Sequence, residues 1–147
     1  MCTQPTPLVL ASLHAAAFAD QRPWSAAEMQ SLLSTPHVFV AGFDQGFVMG
    51  RTILDEAELL TIAVDPDHQG QGIGRQLLSA FEDQARARGA IRAFLEVAED
   101  NTTARALYGS AGWAESGRRV GYYARQTGDS VDAILLEKQL PLREPSE

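Results

Sequence analysis

A short loop with three closely spaced glycines joins an apolar segment to an amphipathic one, and this junction constrains the fold more than any other part of the chain. Residues Glu58 to Val64 are apolar and partly β-branched, which is typical of a mostly buried strand, and Asp65-Pro66 ends it. From Ile73 to Ala85 the apolar residues recur at helical spacing, and Arg88-Gly89 provides a C-terminal stop. The sequence therefore predicts a strand, a glycine loop and a helix in succession.

The glycine loop has the properties of an anion-binding site. Gly70, Gly72 and Gly74 can adopt positive φ and let a ligand approach the backbone closely. The first N–H groups of the following helix lack internal acceptors and lie at the positive end of the helix dipole. A diphosphate therefore fits this junction.

The spacing of the loop rules out two common phosphate-binding motifs. A Walker loop requires Lys-Ser/Thr after its last glycine, whereas Arg75-Gln76 follows Gly74 here. A Rossmann fingerprint requires G-x-G-x-x-G with an acidic residue about twenty positions later, whereas this loop reads G-x-G-x-G. An ordinary glycine-rich turn without a ligand stays open as the alternative for this segment.

Length and composition favour one globular domain. The 147 residues suffice for a single core, and we expect one domain over residues 1–147 with a frayed tail from about Leu140. A composition of 45% hydrophobic and 21% charged residues is typical of globular proteins. The apolar runs are shorter than a membrane span and the N-terminus lacks a secretory pattern, so we expect a cytoplasmic protein without a membrane partner.

The net charge and the Cys and His residues argue against a nucleic-acid site, a disulfide framework and a metal site. A formal net charge of −7 disfavours nucleic acid as a partner and attracts cationic substrates such as amines. Cys2 is the only cysteine, which excludes a disulfide framework and a cysteine metal site. His14, His37 and His68 are far apart in the sequence, so we expect surface or loop histidines and no metal cofactor.

The remaining segments predict a mixed sheet with helices. Further helices are expected over Pro7–Phe18, Ser25–Thr35 and Thr102–Ala111, and further strands over Val38–Phe43, Phe47–Leu54, Ala93–Val97, Val120–Tyr123 and Val131–Leu136. The first three strands form an antiparallel meander, and a right-handed crossover places Ala93–Val97 parallel to the strand before the glycine loop. We therefore expect an α/β fold, an α+β mixed sheet that is mainly antiparallel, with one central parallel strand pair and helices on both faces.

Three polar residues after the glycine-loop helix are candidates for chemistry. Glu96 is a carboxylate in an otherwise apolar strand, where an unpaired buried charge is costly and where a general base can be tuned. Exposure at an edge or pairing with an arginine explains Glu96 equally well. Taken by itself, Tyr108 is typical of a core aromatic residue and Asn101 of a helix cap.

Several motifs occur in the order found in the GCN5-related N-acetyltransferase (GNAT) family, and the chain resembles the RimI branch of that family. The motifs are Gln69-x-x-Gly72-x-Gly74 after Val-Asp-Pro, Leu95-Glu96-Val97, Asn101, Ala106-Leu107-Tyr108, Ala111-Gly112-Trp113 and Tyr122-Tyr123. The resemblance implies the GNAT acyl-CoA N-acyltransferase fold. It also implies an enzyme that uses acetyl-CoA to acetylate a protein N-terminus, the N-terminal alanine of ribosomal protein S18.

The resemblance assigns cofactor-binding residues one by one. Asn101 would contact the cofactor near the pantetheine. The main chain of Ile62, Ala63 and Val64 would hold the acetyl-pantetheine arm. The pyrophosphate would be held by Gly70, Gln71, Gly72, Ile73, Gly74 and Arg75. Gly70 and Gln71 stand where relatives often have arginine, which weakens the attraction for phosphate.

The resemblance also assigns the chemistry. Glu96 would take the amine proton through water, and Tyr108 would protonate the leaving thiolate. Tyr122 and Tyr123 would line the peptide groove. Trp113 stands where phenylalanine is usual, which does not touch this chemistry.

Two other functions stay open. A GNAT enzyme that acetylates a small amine or a lysine side chain is the second hypothesis. A catalytically silent module that binds acetyl-CoA is the third, and the presence of Glu96 and Tyr108 counts against it.

Overall fold

The computed structural model describes residues 10–11, 25–43, 45–124 and 127–141. Its strands are β1 (Val38–Phe43), β2 (Gly46–Ile53), β3 (Glu56–Val64), β4 (Arg92–Ala98), β5 (Ala114–Ala124) and β6 (Ser130–Gln139). Its longer helices are α1 (Ala26–Ser34), α2 (Ile73–Ala87) and α3 (Thr102–Ser110), and a 3-10 turn spans Pro66–His68. None of the helices in these ranges is long and apolar enough to cross a membrane.

The strands form one sheet in the order β1-β2-β3-β4-β6-β5. Neighbouring strands are antiparallel except β3 and β4, which are parallel. The predicted mixed sheet with one central parallel pair is therefore confirmed. The glycine-loop helix α2 is the crossover between the two parallel strands, as predicted.

Helices cover both faces of the sheet, as predicted. On one face, Leu77, Leu78 and Phe81 of α2 pack with Leu95 of β4 and Ile134 of β6 in the larger core. On the opposite face, the second core joins residues of α1 and the strands with the segment at residues 10–11; its fully buried members are Leu10, Met29, Val40, Phe47, Met49 and Ala63. Each face of the sheet is thus covered by its own hydrophobic core.

The C-terminal segment differs from the expectation of a frayed tail, and most of the expected first helix lies outside the described residues. Leu140, where the sequence suggests the start of a frayed tail, is fully buried and its N–H donates to the Ile91 carbonyl at 2.8 Å. Burial of one more apolar side chain thus keeps the chain in the fold at this residue. The expected helix Pro7–Phe18 lies outside the described residues except for Leu10 and Ala11, which are helical.

A β-bulge in β3 sets the direction of its side chains. Met49 pairs with Thr61 and Gly50 with Leu59, so Leu60 has no partner residue on β2. Because the extra residue reverses the alternation, Ile62 and Val64 pack against the core beneath α2 rather than the opposite core. The bulge therefore points the end of β3 towards α2 and the glycine loop.

The two parallel strands are joined only where they begin. The register contains the pairs Glu56–Arg92, Ala57–Ala93 and Glu58–Phe94, and no pair beyond them. The bulge at Leu60 follows directly, and bulges commonly end strand pairing. The ends of β3 and β4 are consequently separated by a gap, and the main-chain groups of β3 that face it have no partner on β4.

Candidate active site

A cavity of about 430 Å³ opens beside the gap, between the glycine loop and α3. It is lined by most of the residues assigned to cofactor binding, namely Ile62, Val64, Gly70, Gly72, Ile73, Gly74, Arg75 and Asn101. The other two assigned residues lie elsewhere: Ala63 is buried in the core against α1, and Gln71 is exposed on the loop. Their main-chain contacts with a cofactor stay predictions.

The glycine loop is open and conformationally special. Gly70 and Gly72 both have a φ of +82°, and a Cβ built on either would meet no atom within 4 Å. The backbone conformation therefore favours glycine at both positions, and open space lies beside them. Gly74 is close to α3, since its Cβ would be 3.2 Å from Cδ2 of Leu107.

The N-terminus of α2 presents unpaired donors to the cavity. Gln76 donates to the Gly72 carbonyl at 3.1 Å, which is the first bond of the helix. Gly72, at the N-cap, has no side chain with which to cap the helix. The N–H groups of Ile73, Gly74 and Arg75 precede the helical ladder, and such groups at the positive end of a helix dipole are suited to binding an anion.

The segment between β3 and the glycines is held to the sheet by its own polar groups. Asp65 donates its N–H to the Gln45 carbonyl at 2.7 Å, and its Oδ1 accepts the N–H of Asp67 at 3.0 Å. The His68 N–H donates to the Asp65 carbonyl at 2.8 Å, and Gln69 Nε2 donates to the Val64 carbonyl at 3.4 Å. These bonds fix the loop relative to the end of β3.

Arg75 and Asn101 connect the cavity to α3. Arg75 Nη2 donates to Oγ of Ser110 at 2.7 Å. Asn101 Oδ1 accepts the N–H of Ala104 at 3.1 Å, so the residue caps α3, and its side chain also lines the cavity. Asn101 is therefore a helix cap and also a residue of the cavity wall.

Sequence reasoning missed several residues that line the cavity. Thr103, Ala104 and Leu107 occupy one side of α3, and their helical spacing after Asn101 is a signal for it. His68, interpreted from the sequence as a surface or loop residue, also lines the cavity. Its Nδ1 is buried without a hydrogen-bond partner and lies 3.8 Å from Oδ2 of Asp65.

Glu96 lies in β4 beyond the last pair with β3, so it borders the gap. Its neighbours Leu95 and Val97 are buried beneath α2, so the Glu96 side chain points to the opposite face. The side chain is 24% exposed, and Oε1 lies 3.0 Å from Nε of Arg119. Of the two interpretations of Glu96 that the sequence leaves open, the structure shows the pairing with an arginine.

Tyr108 lies on α3 and is buried, with its ring 6.0 Å from that of Trp113. Burial raises the pKa of Tyr108 well above its usual value, and the charge of the Tyr123 phenol raises it further. The phenol is thus a hydrogen-bond donor at physiological pH. Tyr108 belongs to the core beneath α2, whereas Glu96 points to the other face, and neither is among the residues that line the cavity.

The end of β5 carries the two tyrosines that the resemblance assigns to a peptide groove. The ring of Tyr122 meets that of Tyr123 edge-on at 5.1 Å, and Tyr122 is exposed. Among the residues described, no group of three or more His, Cys, Asp or Glu side chains is arranged to hold a metal ion.

Comparisons with known proteins identify the family and the relatives of this chain. A model of the Acetyltransferase (GNAT) family matches residues 9–113. The [ribosomal protein bS18]-alanine N-acetyltransferase of Haemophilus ducreyi is 34% identical over 118 residues, which cover 78% of this chain and 81% of that protein. The N-alpha-acetyltransferase RimI of Mycobacterium tuberculosis is 39% identical over 129 residues, covering 82% and 80% respectively.

Escherichia coli provides both a sequence relative and a solved structure. Its [ribosomal protein bS18]-alanine N-acetyltransferase is 44% identical over 90 residues, which span 61% of this chain and 60% of that protein. The crystal structure of the E. coli ribosomal-protein-S18-alanine N-acetyltransferase superposes with a TM-score of 0.84 at 31% identity. That superposition covers 100% of this chain and 96% of the other.

Proposed function

Because the chain belongs to the GNAT acetyltransferase family and is an N-acetyltransferase, we propose that it transfers the acetyl group of acetyl-CoA to a protein N-terminus. The acceptor we propose is the N-terminal alanine of ribosomal protein bS18, in the cytoplasm. The name of the Haemophilus ducreyi relative, bS18-alanine N-acetyltransferase, supports this acceptor, and the match covers 81% of that protein. The name of the Mycobacterium tuberculosis relative, N-alpha-acetyltransferase, supports an N-terminal amine as the acceptor, and the match covers 80% of that protein.

One observation carries the proposal: a single cavity is bounded by the N-terminus of α2 and by Ile62 and Val64, which lie on the part of β3 that has no partner on β4. A ligand with a diphosphate at one end and an acyl thioester at the other matches this arrangement. The diphosphate accepts hydrogen bonds from the N–H groups at the start of α2. The unpaired main-chain groups of β3 are available to the amide-containing arm, and Ile62, Val64 and Leu107 contribute apolar wall. A volume of about 430 Å³ is within the usual range for such sites.

Acetyl-CoA supplies an activated acetyl group as a thioester, and the acceptor must supply a neutral amine. An α-amine, with a pKa of about 7.7–8.0, loses its proton more readily than a lysine at about 10.4. A carboxylate at the gap is therefore a sufficient base, and Glu96 takes the amine proton, directly or through one water. This difference in acidity favours a protein N-terminus over a lysine side chain.

Tyr108 acts on the opposite side of the reacting carbon. The amine nitrogen forms a bond to the acetyl carbon, the carbon–sulfur bond breaks, and the electron pair leaves with sulfur. Tyr108 remains protonated because burial raises its pKa, so its O–H can donate a hydrogen bond to the departing thiolate. Unpaired N–H groups of β3 stabilise the charge on the acetyl oxygen. No covalent intermediate with the enzyme is required.

An acetylation assay tests the proposal. The protein is mixed with acetyl-CoA and, separately, with a peptide carrying the bS18 N-terminus, peptides with internal lysines, and small amines, and release of free CoA is followed. We expect turnover with the N-terminal peptide, and Glu96→Gln and Tyr108→Phe should each lower kcat by about 10²- to 10⁴-fold without weakening acetyl-CoA binding. Turnover confined to small amines or lysines, or binding without turnover, contradicts the proposed acceptor. Wild-type rates in both variants contradict the assigned roles.

A further inference from the structure

Arg119 of β5 reaches the proposed base across an intervening strand. Its Nε lies 3.0 Å from Oε1 of Glu96, although β6 separates β5 from β4 in the sheet. The residue of β6 that opposes Glu96 is Leu135, so the ion pair crosses the sheet next to an aliphatic side chain. An ion pair of this kind fixes the side-chain conformations of two residues on strands that are not neighbours in the sheet.

An irregular segment of β5 presents Arg119. The pairing of β5 with β6 shifts register between Arg119 and Tyr123. Within that segment Gly121 has a φ of +62°, and its N–H donates to Oδ1 of Asp132 on β6 at 2.9 Å. The bulged segment is therefore pinned to the neighbouring strand, and the position of Arg119 is built into the fold.

Aromatic contact fixes the guanidinium from a second direction. The Cζ of Arg119 lies 5.5 Å from the ring centroid of Tyr122, a distance at which a cation is attracted to a ring. The same group thus contacts the carboxylate of Glu96 through Nε and the face of Tyr122 through its plane. Both contacts restrict the rotamers of Arg119.

The other arginines near β4 have partners of their own. Arg92, on the same face of β4, pairs with Glu56 and with Glu137. Arg118 pairs with Glu99 and Asp132. In the part of the chain that the structure describes, Arg119 is the cation within ion-pair distance of Glu96.

We propose that Arg119 is a positioning residue for acetyl transfer, an inference that rests on the assignment of Glu96 as the base. The guanidinium holds one carboxylate oxygen, Oε1, and leaves Oε2 to accept the proton of the incoming amine. It also balances a charge that is only 24% exposed and therefore poorly solvated. The two interpretations of Glu96, a base and a partner of an arginine, then describe one arrangement in which the pairing supports the base.

A double-mutant cycle tests the inference. The variants are Glu96→Gln, Arg119→Gln and the double variant, with Arg119→Lys as the conservative replacement. Arg51→Gln is the matched control, because Arg51 forms a comparable partly exposed ion pair with Glu58 at 2.6 Å, on the stretch of β3 that is still paired with β4. Each protein is assayed for kcat and KM with a peptide that has an N-terminal alanine, and acetyl-CoA binding is measured by calorimetry to show that the variant is folded.

We expect Arg119→Gln to lower kcat by between about tenfold and a hundredfold, the latter being roughly the effect of moving a catalytic group by 1 Å. KM for the peptide and acetyl-CoA affinity should change little, and Arg119→Lys should recover part of the loss. In the Glu96→Gln background, Arg119→Gln should have no further effect, because the group that it positions is gone. Arg51→Gln should retain the wild-type kcat.

The outcomes separate this inference from the proposed function. If Glu96→Gln lowers kcat but Arg119→Gln leaves it unchanged, Arg119 has no positioning role and the assignment of Glu96 stands. The same conclusion follows if the losses from Glu96→Gln and Arg119→Gln simply add in the double variant. If Glu96→Gln retains the wild-type kcat, the assignment of the base fails, and the inference about Arg119 fails with it.

Discussion

Glu82 lies at the centre of a buried polar cluster that ties α2 to the segments after α3. Its Oε1 accepts from Nζ of Lys138 at 2.8 Å, and its Oε2 accepts the indole N–H of Trp113 at 3.3 Å. Nζ of Lys138 also donates to the Ala111 carbonyl at 2.7 Å. Since α2 and α3 both border the cavity, this cluster holds two of its walls together. We predict that Glu82→Ala strongly destabilises the fold.

The size of the effect follows from what the substitution leaves behind. The Trp113 N–H loses its acceptor inside the core, which costs about 1–3 kcal/mol. Lys138 loses its charged partner, and breaking a buried ion pair costs about 3–5 kcal/mol. Both losses arise from one carboxylate and overlap, and the Lys138 side chain is 25% exposed, so water replaces part of the lost interaction. We therefore expect a loss of about 3 kcal/mol, a large share of a typical stability of about 5–15 kcal/mol.

Urea unfolding followed by circular dichroism measures this loss. Asp83→Asn is the matched control, because Asp83 is the next residue on the same helix and its carboxylate, which pairs with Arg86 at 2.7 Å, is 49% exposed, against 9% for Glu82. An exposed pair of this kind contributes less than about 1 kcal/mol. If Glu82→Ala costs no more than Asp83→Asn, the cluster does not stabilise the fold and the reasoning is refuted.

Three further predictions rest on glycines and on Tyr108. Gly50→Ala should destabilise by about 1–3 kcal/mol in urea, because its Cβ would lie 2.6 Å from Cε1 of Phe81, whereas Gly109→Ala, with no atom within 4 Å, should stabilise α3. Gly72→Ala and Gly89→Ala impose the same strain, at φ of +82° and +96°, but only the former should weaken acetyl-CoA binding in calorimetry, by about tenfold; equal affinities would contradict the anion site. Because the folded pKa of Tyr108 is raised, its stabilising contribution is complete below the usual value of 10.0 and is lost as the pH rises through the folded value. Ultraviolet titration should show one tyrosine ionising late, and none in Tyr108→Phe.

Local patterns predicted most of the elements around the cavity. The change from strand to helical periodicity placed α2, and the glycines marked the loop, because both signals act over a few residues. The Asn101 cap is likewise local and hydrogen-bonds as predicted, and the structure also has a capping box between Ser25 and Glu28. The family motifs supplied the roles of residues within the same segments.

Contacts between distant segments were not predictable in this way. β5 spans Ala114–Ala124, far more than the predicted Val120–Tyr123, because an edge strand is largely exposed and lacks the apolar alternation that marks a strand. The bulge at Leu60 arises from the register with β2, and the gap between β3 and β4 follows from it. The residue pattern of β2 or of β3 by itself does not predict how the two strands are paired.

The amino-acid order determined that a strand, a glycine loop and a helix follow one another, since backbone conformation and helix ends depend on neighbouring residues. Only the tertiary structure decided that Glu96 meets Arg119 across β6, since that contact joins side chains on separate strands whose meeting depends on the packing of the whole sheet. It likewise decided that Tyr108 and Glu96 lie on opposite faces, because each face is defined by the core against which it packs.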